Sequence, residues 1–236
     1  MTLLRSALFN LFFFTATFVL TVALATPVRL LAPHRVLDVA RLWARTMLWA
    51  LRVLCGIRLQ VTGLEHVGTG AALIASRHQS AFDTFVWLTL VPRCCYVLKQ
   101  ELLRVPLFGP LMPAAGMIAV DRDGGATALR GLIREGERAM RERRQIVIFP
   151  EGTRAGIGAM LPLQPGVAAL AARTRLPVIP VLTDSGRCWG RRAFQKRPGT
   201  IHVRILRPLP ADLKRDQLMR CLRDALSGNA GENSVG

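Results

Sequence analysis

The chain has 236 residues, enough for one sizeable domain with attachments, and combines a net charge of +17 with a mean hydropathy of +0.31. Soluble nucleic-acid binders are often this basic but rarely this apolar, so the expected partner is an anionic lipid surface and not nucleic acid. Arginine supplies 29 of the 32 cations, and the five cysteines (Cys55, Cys94, Cys95, Cys188, Cys221) are odd in number and lack zinc spacing, which reads as a reduced, cytosol-facing domain.

Residues 7–25 carry no charge and are rich in Phe, Leu and Val. At about 1.5 Å per residue they approach the thickness of a bilayer core, so they predict a membrane helix that spans or dips into one leaflet. A secretory signal peptide is the competing reading, with Ala23-Leu24-Ala25 as a cleavage pattern. Pro27 and Pro33 are expected to interrupt the helix. Residues 36–57 place Asp38, Arg41, Arg45 and Arg52 on one face and Leu37, Trp43, Met47, Leu48, Leu51 and Leu54 on the other. This predicts an amphipathic helix in the membrane interface, with Trp43 and Trp49 at headgroup depth; an ordinary helix packed on the domain is the alternative. Arg5 alone precedes the first stretch, whereas Arg29, Arg35, Arg41, Arg45 and Arg52 follow it, which places the following domain in the cytoplasm.

Beyond residue 57, short apolar strands alternate with helical patterns. Strands are expected at 71–75, 117–120, 146–149, 178–181 and 201–205, and helices at 82–90, 126–141, 167–173 and 213–226. The alternation argues an α/β sandwich. The expected divisions are N-terminal membrane-associated helices over 1–56, a domain over 57–227 and a loose tail over 228–236.

Two short words carry the chemistry. HQSAFD, residues 78–83, puts His78 five residues before Asp83 in a strand-to-helix turn, which suits a base and its orienting carboxylate. Alone it is weak, because with four histidines a chance Asp at that offset arises roughly one time in five. FPEGTR, residues 149–154, fixes six consecutive positions. It ends an apolar strand in a glycine turn followed by Arg154, where backbone N–H groups and a guanidinium can converge on an anion.

These words resemble blocks of the glycerophospholipid acyltransferase family, most closely its 1-acylglycerol-3-phosphate acyltransferases. GMIAVDR (116–122), LPVIPV (176–181) and LKQELLRVPLFGPLM (98–112) are similar to further family segments and stand in the family's order. The resemblance covers roughly residues 57–210. It implies an α/β fold with a mixed central β-sheet flanked by helices. It also implies transfer of an acyl chain from acyl-coenzyme A or acyl carrier protein to a lysophosphatidate hydroxyl, at the cytoplasmic face of a bacterial inner membrane. No metal or further cofactor is implied.

On this reading His78 is the general base and Asp83 fixes its tautomer. Arg154, Lys99 and Arg122 are candidate phosphate cations. Glu151 would orient Arg154 or the glycerol hydroxyl, Gly152 would permit close backbone approach, and Thr153 completes the block. Oxyanion donors are expected among N–H groups near Gly152 and in the HQSAFD turn. Ser80 is expected as a helix cap, and no Ser or Cys has a nucleophile's setting, so direct transfer is favoured. His34, His66 and His202 lack an acidic or cysteine partner at ligand spacing and are read as non-functional. One departure stands out: Gln164 precedes Pro-Gly where the family is expected to carry a basic residue, which opens acceptors such as a lyso-aminolipid. The segment SGRCWGRR, residues 185–192, keeps Trp189 and an Arg pair that could meet lipid phosphates. A non-catalytic membrane adaptor would be favoured by loss of His78, Asp83 or Arg154, and none is lost.

Overall fold

The structure is a computed structural model that describes residues 1–121 and 124–228. Arg122 lies outside the described residues, as does the expected loose tail beyond Gly228.

Helix α1 (Thr2–Leu20) continues through a π turn (Thr21–Ala25) into α2 (Thr26–Leu31), giving one helical rod of 30 residues that is long and apolar enough to cross a membrane. Pro27 does not interrupt it, contrary to expectation. The wider π turn removes the demand for the N–H that proline lacks, and the Thr26 hydroxyl donates to the Thr21 carbonyl at 2.9 Å. The break falls at Ala32, where φ is −148° immediately before Pro33.

Helix α3 (Val36–Cys55) stops at Gly56, whose φ of 68° is the left-handed turn that glycine adopts without strain. Val39, Ala44, Met47, Ala50 and Leu51 are buried, so one face of α3 packs on the domain. Trp43 corrects the headgroup expectation. Its indole N–H donates to Thr17 Oγ1 at 2.9 Å, and its ring meets Phe13 and Phe85 edge-on. Leu42, Trp49 and Val53 form the exposed apolar row.

The remaining order is β1 (Ile57–Thr62), β2 (Ala72–Ser76), α4 (Asp83–Leu90), β3 (Cys94–Lys99), α5 (Leu111–Ala114), β4 (Ile118–Val120), α6 (Gly125–Arg141), β5 (Gln145–Ile148), α7 (Gly166–Thr174), β6 (Val178–Thr183), β7 (Gly199–Ile205) and α8 (Arg215–Ser227). Strands β1 and β3 are additions to the sequence expectation. The seven strands form one sheet in the order β1-β7-β6-β2-β5-β3-β4. All neighbours are parallel except β6 and β7, so the sheet is mixed.

Each sheet face carries its own core because side chains alternate along the strands. Ala72 and Ile74 of β2 face a core shared with α3 and α4, while Leu73 and Ala75 face one shared with α6, α7 and α8. Phe9 of α1 belongs to the first core, together with Met47, Ile74 and Phe85. Residue 56 therefore marks a change of element, and the N-terminal helices and the sheet share one interior.

Candidate active site

Strands β2 and β5 are parallel neighbours, with Ala75 beside Ile148. Their C-terminal ends bring residues 77–83 and 149–155 side by side. The chain leaves β2 through α4 on one face and β5 through α7 on the other, which opens a crevice between the strand ends.

His78 is buried, and its ring stacks on Phe149 with centroids 4.2 Å apart. Its Nδ1 lies 3.2 Å from Asp83 Oδ2. The same carboxylate oxygen accepts the backbone N–H of Gln79 at 2.7 Å and of Ser80 at 2.8 Å. A carboxylate contact at Nδ1 favours the neutral tautomer with its proton on Nδ1, which leaves Nε2 as the ring nitrogen outside the pair. Asp83 itself is steadied at the start of α4, where the Tyr96 hydroxyl donates to its carbonyl at 3.3 Å. Ser80 is a turn residue and not the helix cap: its Oγ accepts the Phe82 N–H at 3.2 Å, and the Asp83 carboxylate gathers the turn's other N–H groups.

The FPEGTR turn closes with the Gly152 N–H donating to the Phe149 carbonyl at 2.9 Å, and Gly152 sits at φ 69°. Glu151 is buried and does not orient Arg154. One of its oxygens accepts from Arg77 at 3.3 Å and the other from the His78 backbone N–H at 3.1 Å. The Ala155 N–H donates to the His78 carbonyl at 2.8 Å, so the two words are stitched together along their backbones. These bonds narrow the oxyanion expectation. The N–H groups of His78, Gln79, Ser80, Phe82 and Gly152 are all engaged.

A cavity of about 540 Å³ opens at this ledge. His78, Gly152, Thr153, Arg154 and Lys99 line it, together with Arg191 and Arg192. The rest of its wall is largely apolar and includes Leu20, Val36, Trp43, Leu98, Leu111 and Met117, so the N-terminal rod and α3 form part of it. Burial lowers the Arg154 pKa from its usual value and the nearby Arg191 and Arg192 add to the shift, while Asp83 opposes it. Three guanidiniums lining one cavity can hold an anion. Lys99 is half-exposed and pairs with Glu101 at 3.0 Å. Gln164 is exposed and does not line the cavity, so that departure leaves the cavity's cations in place.

Several further expectations change. Trp189 is not at a lipid surface: it is buried edge-on against Phe9 and Phe13. Lys196, buried beside it, bonds Asn10 and the Phe194 carbonyl and so ties α1 to the loop that carries Arg191 and Arg192. His202 does have an acidic partner, Asp184 Oδ2 at 2.9 Å. Arg77 was missed by sequence reasoning; its signal is an arginine that closes the apolar run ALIAS immediately before His78. Cys94 and Cys95 are buried, and burial pushes the Cys95 thiol up to about 12, which leaves neither as a nucleophile.

A family model described as Acyltransferase matches residues 58–184, more than half of the chain. A 1-acyl-sn-glycerol-3-phosphate acyltransferase of Pseudomonas aeruginosa is 39% identical over 150 residues, covering 64% of this chain and 58% of that protein. One from Limnanthes alba is 36% identical over 160 residues, covering 66% and 56%. The alpha form from Homo sapiens is 31% identical over 162 residues, again covering 66% and 56%. The chain thus spans just over half the length of these relatives. Among solved structures, the 1-acyl-sn-glycerophosphate (LPA) acyltransferase PlsC from Thermotoga maritima superposes with a TM-score of 0.78 at 20% identity, covering 100% of this chain and 99% of that one. A shared fold, a matched family pattern over residues 58–184 and a His78–Asp83 pair inside it place the chain in the acyltransferase family.

Proposed function

We propose that the chain moves a fatty acyl group from a thioester donor, acyl-coenzyme A or acyl carrier protein, to the sn-2 hydroxyl of 1-acylglycerol-3-phosphate, making phosphatidic acid. The observation that carries this reading is one cavity with three features: a His–Asp pair, unpaired guanidiniums of Arg154, Arg191 and Arg192 among the described residues, and a long apolar wall. An acyl chain, a phosphate and a reacting hydroxyl need those three features together.

In the proposed step, Nε2 of His78 takes the hydroxyl proton as the oxygen attacks the thioester carbonyl. Asp83 stabilises the imidazolium that forms. The tetrahedral intermediate collapses and expels the thiolate, which takes the proton back from His78. The intermediate's oxyanion is met by the N–H groups of Thr153 and Arg154, two cavity-lining residues whose N–H groups have no other bond among the described residues. Arg154 holds the acceptor phosphate, and Lys99 and the Arg191–Arg192 pair add to the field. Transfer is direct, because Ser80 is fully buried and already bonded within its turn. The reaction needs no metal and no cofactor beyond the thioester co-substrate.

The apolar rod and the exposed row Leu42, Trp49 and Val53 attach the protein to a membrane, and the arginines after the rod favour the cytoplasmic face. The test is an acyl-transfer assay on purified protein that crosses lysophosphatidate, a lyso-aminolipid and monoacylglycerol with both donor types. Transfer to lysophosphatidate in clear preference to the others is expected. Preference for the lyso-aminolipid would replace the acceptor assignment, and no transfer to any of them would remove the activity.

A further inference from the structure

Arg77 stands next to His78, and the proposed reaction makes no use of it. It is buried at the end of β2. Its Nη1 donates to the Leu226 carbonyl in the last turn of α8 at 3.3 Å. Its Nη2 donates to Glu151 Oε1 at 3.3 Å and also to the Ala159 carbonyl. Glu151 passes the connection on, because its Oε2 accepts the His78 N–H at 3.1 Å. The His78 carbonyl is held in turn by the Ala155 N–H at 2.8 Å. Both backbone groups of His78 are therefore fixed from residues 151–155, and Arg77 fixes that segment to the C-terminal helix.

Stability alone does not account for this arrangement. A buried ion pair loses much of its attraction to desolvation, and here the Arg77 Nε is buried without a partner among the described residues. A well-packed apolar pair would cost less. What a guanidinium adds is a rigid planar fork that meets three acceptors at set angles. The Leu226 carbonyl also lies at the negative end of α8, where a cation is favoured.

We infer that Arg77 and Glu151 are positioning residues: together they lock the backbone of His78, and so the alignment of its imidazole with Asp83, and they make α8 part of that support. The inference rests on His78 being the base in the reading above. It also moves Glu151 from substrate contact to support. The two family words then act as one unit joined through a buried carboxylate, with Arg77 as the strut behind it.

The test uses the full-length protein with Glu151→Gln, Arg77→Met and Arg77→Lys. Glu151→Gln is isosteric, so it decides the matter should Arg77→Met fail to fold. In folded variants with an unchanged melting profile, kcat should drop roughly 10- to 100-fold, as expected for a base misplaced by a fraction of an ångström to an ångström. Acceptor KM should stay within about twofold, Arg77→Lys should recover part of the loss, and the double variant should lose little more than the worse single one. A second readout does not depend on the substrate. 15N NMR of histidine-labelled protein, with His78 assigned through His78→Gln, should show the Nδ1–H tautomer in the parent and a mixture in the variants. That shift in a protein inactive on every lyso-acceptor would sink the acyl-transfer reading and leave the positioning role intact. Unchanged kcat with an unchanged tautomer would overturn the positioning role. So would a raised acceptor KM at constant kcat, which would put Glu151 on the substrate.

Discussion

Two histidine–aspartate pairs occupy opposite kinds of ground in this molecule. His202 Nδ1 lies 2.9 Å from Asp184 Oδ2, and His78 Nδ1 lies 3.2 Å from Asp83 Oδ2. By distance alone the first is the tighter pair. Yet the His202 side chain is 48% exposed, beside a smaller and separate pocket that it lines with Asp184 and Arg204, and the other Asp184 oxygen is taken by the His202 N–H. The His78 side chain is 11% exposed, stacked on an aromatic ring and set in the wall of the large cavity beside Arg154. The lesson is that a carboxylate bond orients an imidazole but does not give it work. A base also needs a free ring nitrogen facing the space where substrate sits, and a charge that holds the substrate there.

The sharpest way to break this comparison is to delete each imidazole in turn. His78→Ala should lower kcat by roughly 10²–10⁴-fold, the usual worth of a positioned base. His202→Ala should leave acyl transfer within about twofold, because its surface pair carries little coupling. Comparable losses from both, measured as initial rates on folded protein, would erase the distinction. Asp83→Asn should also cost much of the rate, through a misoriented or wrongly protonated ring, whereas Asp184→Asn should change little.

The cations offer a smaller and more selective contrast. Arg154→Ala should weaken acceptor binding by about 1.5–3 kcal/mol, roughly 10- to 150-fold in acceptor KM. Thioester hydrolysis without acceptor should fall much less, since it uses His78 and no phosphate. Lys99→Ala should show the same pattern to a lesser degree, under about tenfold, because its exposed pairing with Glu101 already screens it. Equal loss of transfer and hydrolysis in a folded Arg154 variant would assign that residue to the catalytic centre or the fold.

Much of the architecture is legible in local pattern. The buried strands β2, β5 and β6 are short apolar runs, and α6 shows a helical stripe, so both follow from periodicity. Strand β1 hides its alternation, because Ile57 reads as the end of the preceding amphipathic run. Strand β3 opens with two cysteines and runs straight into Lys99-Gln100-Glu101, which gives no clean boundary. Pro27 misleads because the π turn before it cannot be read from residue type. At the site, His78, Asp83 and Arg154 are visible as words, since each word is local. The partners of Glu151 are not, because Arg77 lies 74 residues away and its other anchor is a carbonyl at the end of α8. The His202–Asp184 pair is invisible for the same reason. It depends on the antiparallel register that puts Thr183 of β6 against Val203 of β7.

If one cavity joins a His78 base to an Arg154 phosphate clamp, acceptor preference reports both at once. The quantity to measure is kcat/KM for lysophosphatidate divided by that for monoacylglycerol, its phosphate-free counterpart, in the parent and in Arg154→Ala with the same donor. A strong preference for the phosphorylated acceptor is expected in the parent, reduced roughly 10- to 150-fold in the variant while the phosphate-free reaction is nearly unchanged. A ratio that is near one in the parent, or that survives the loss of Arg154, would contradict it.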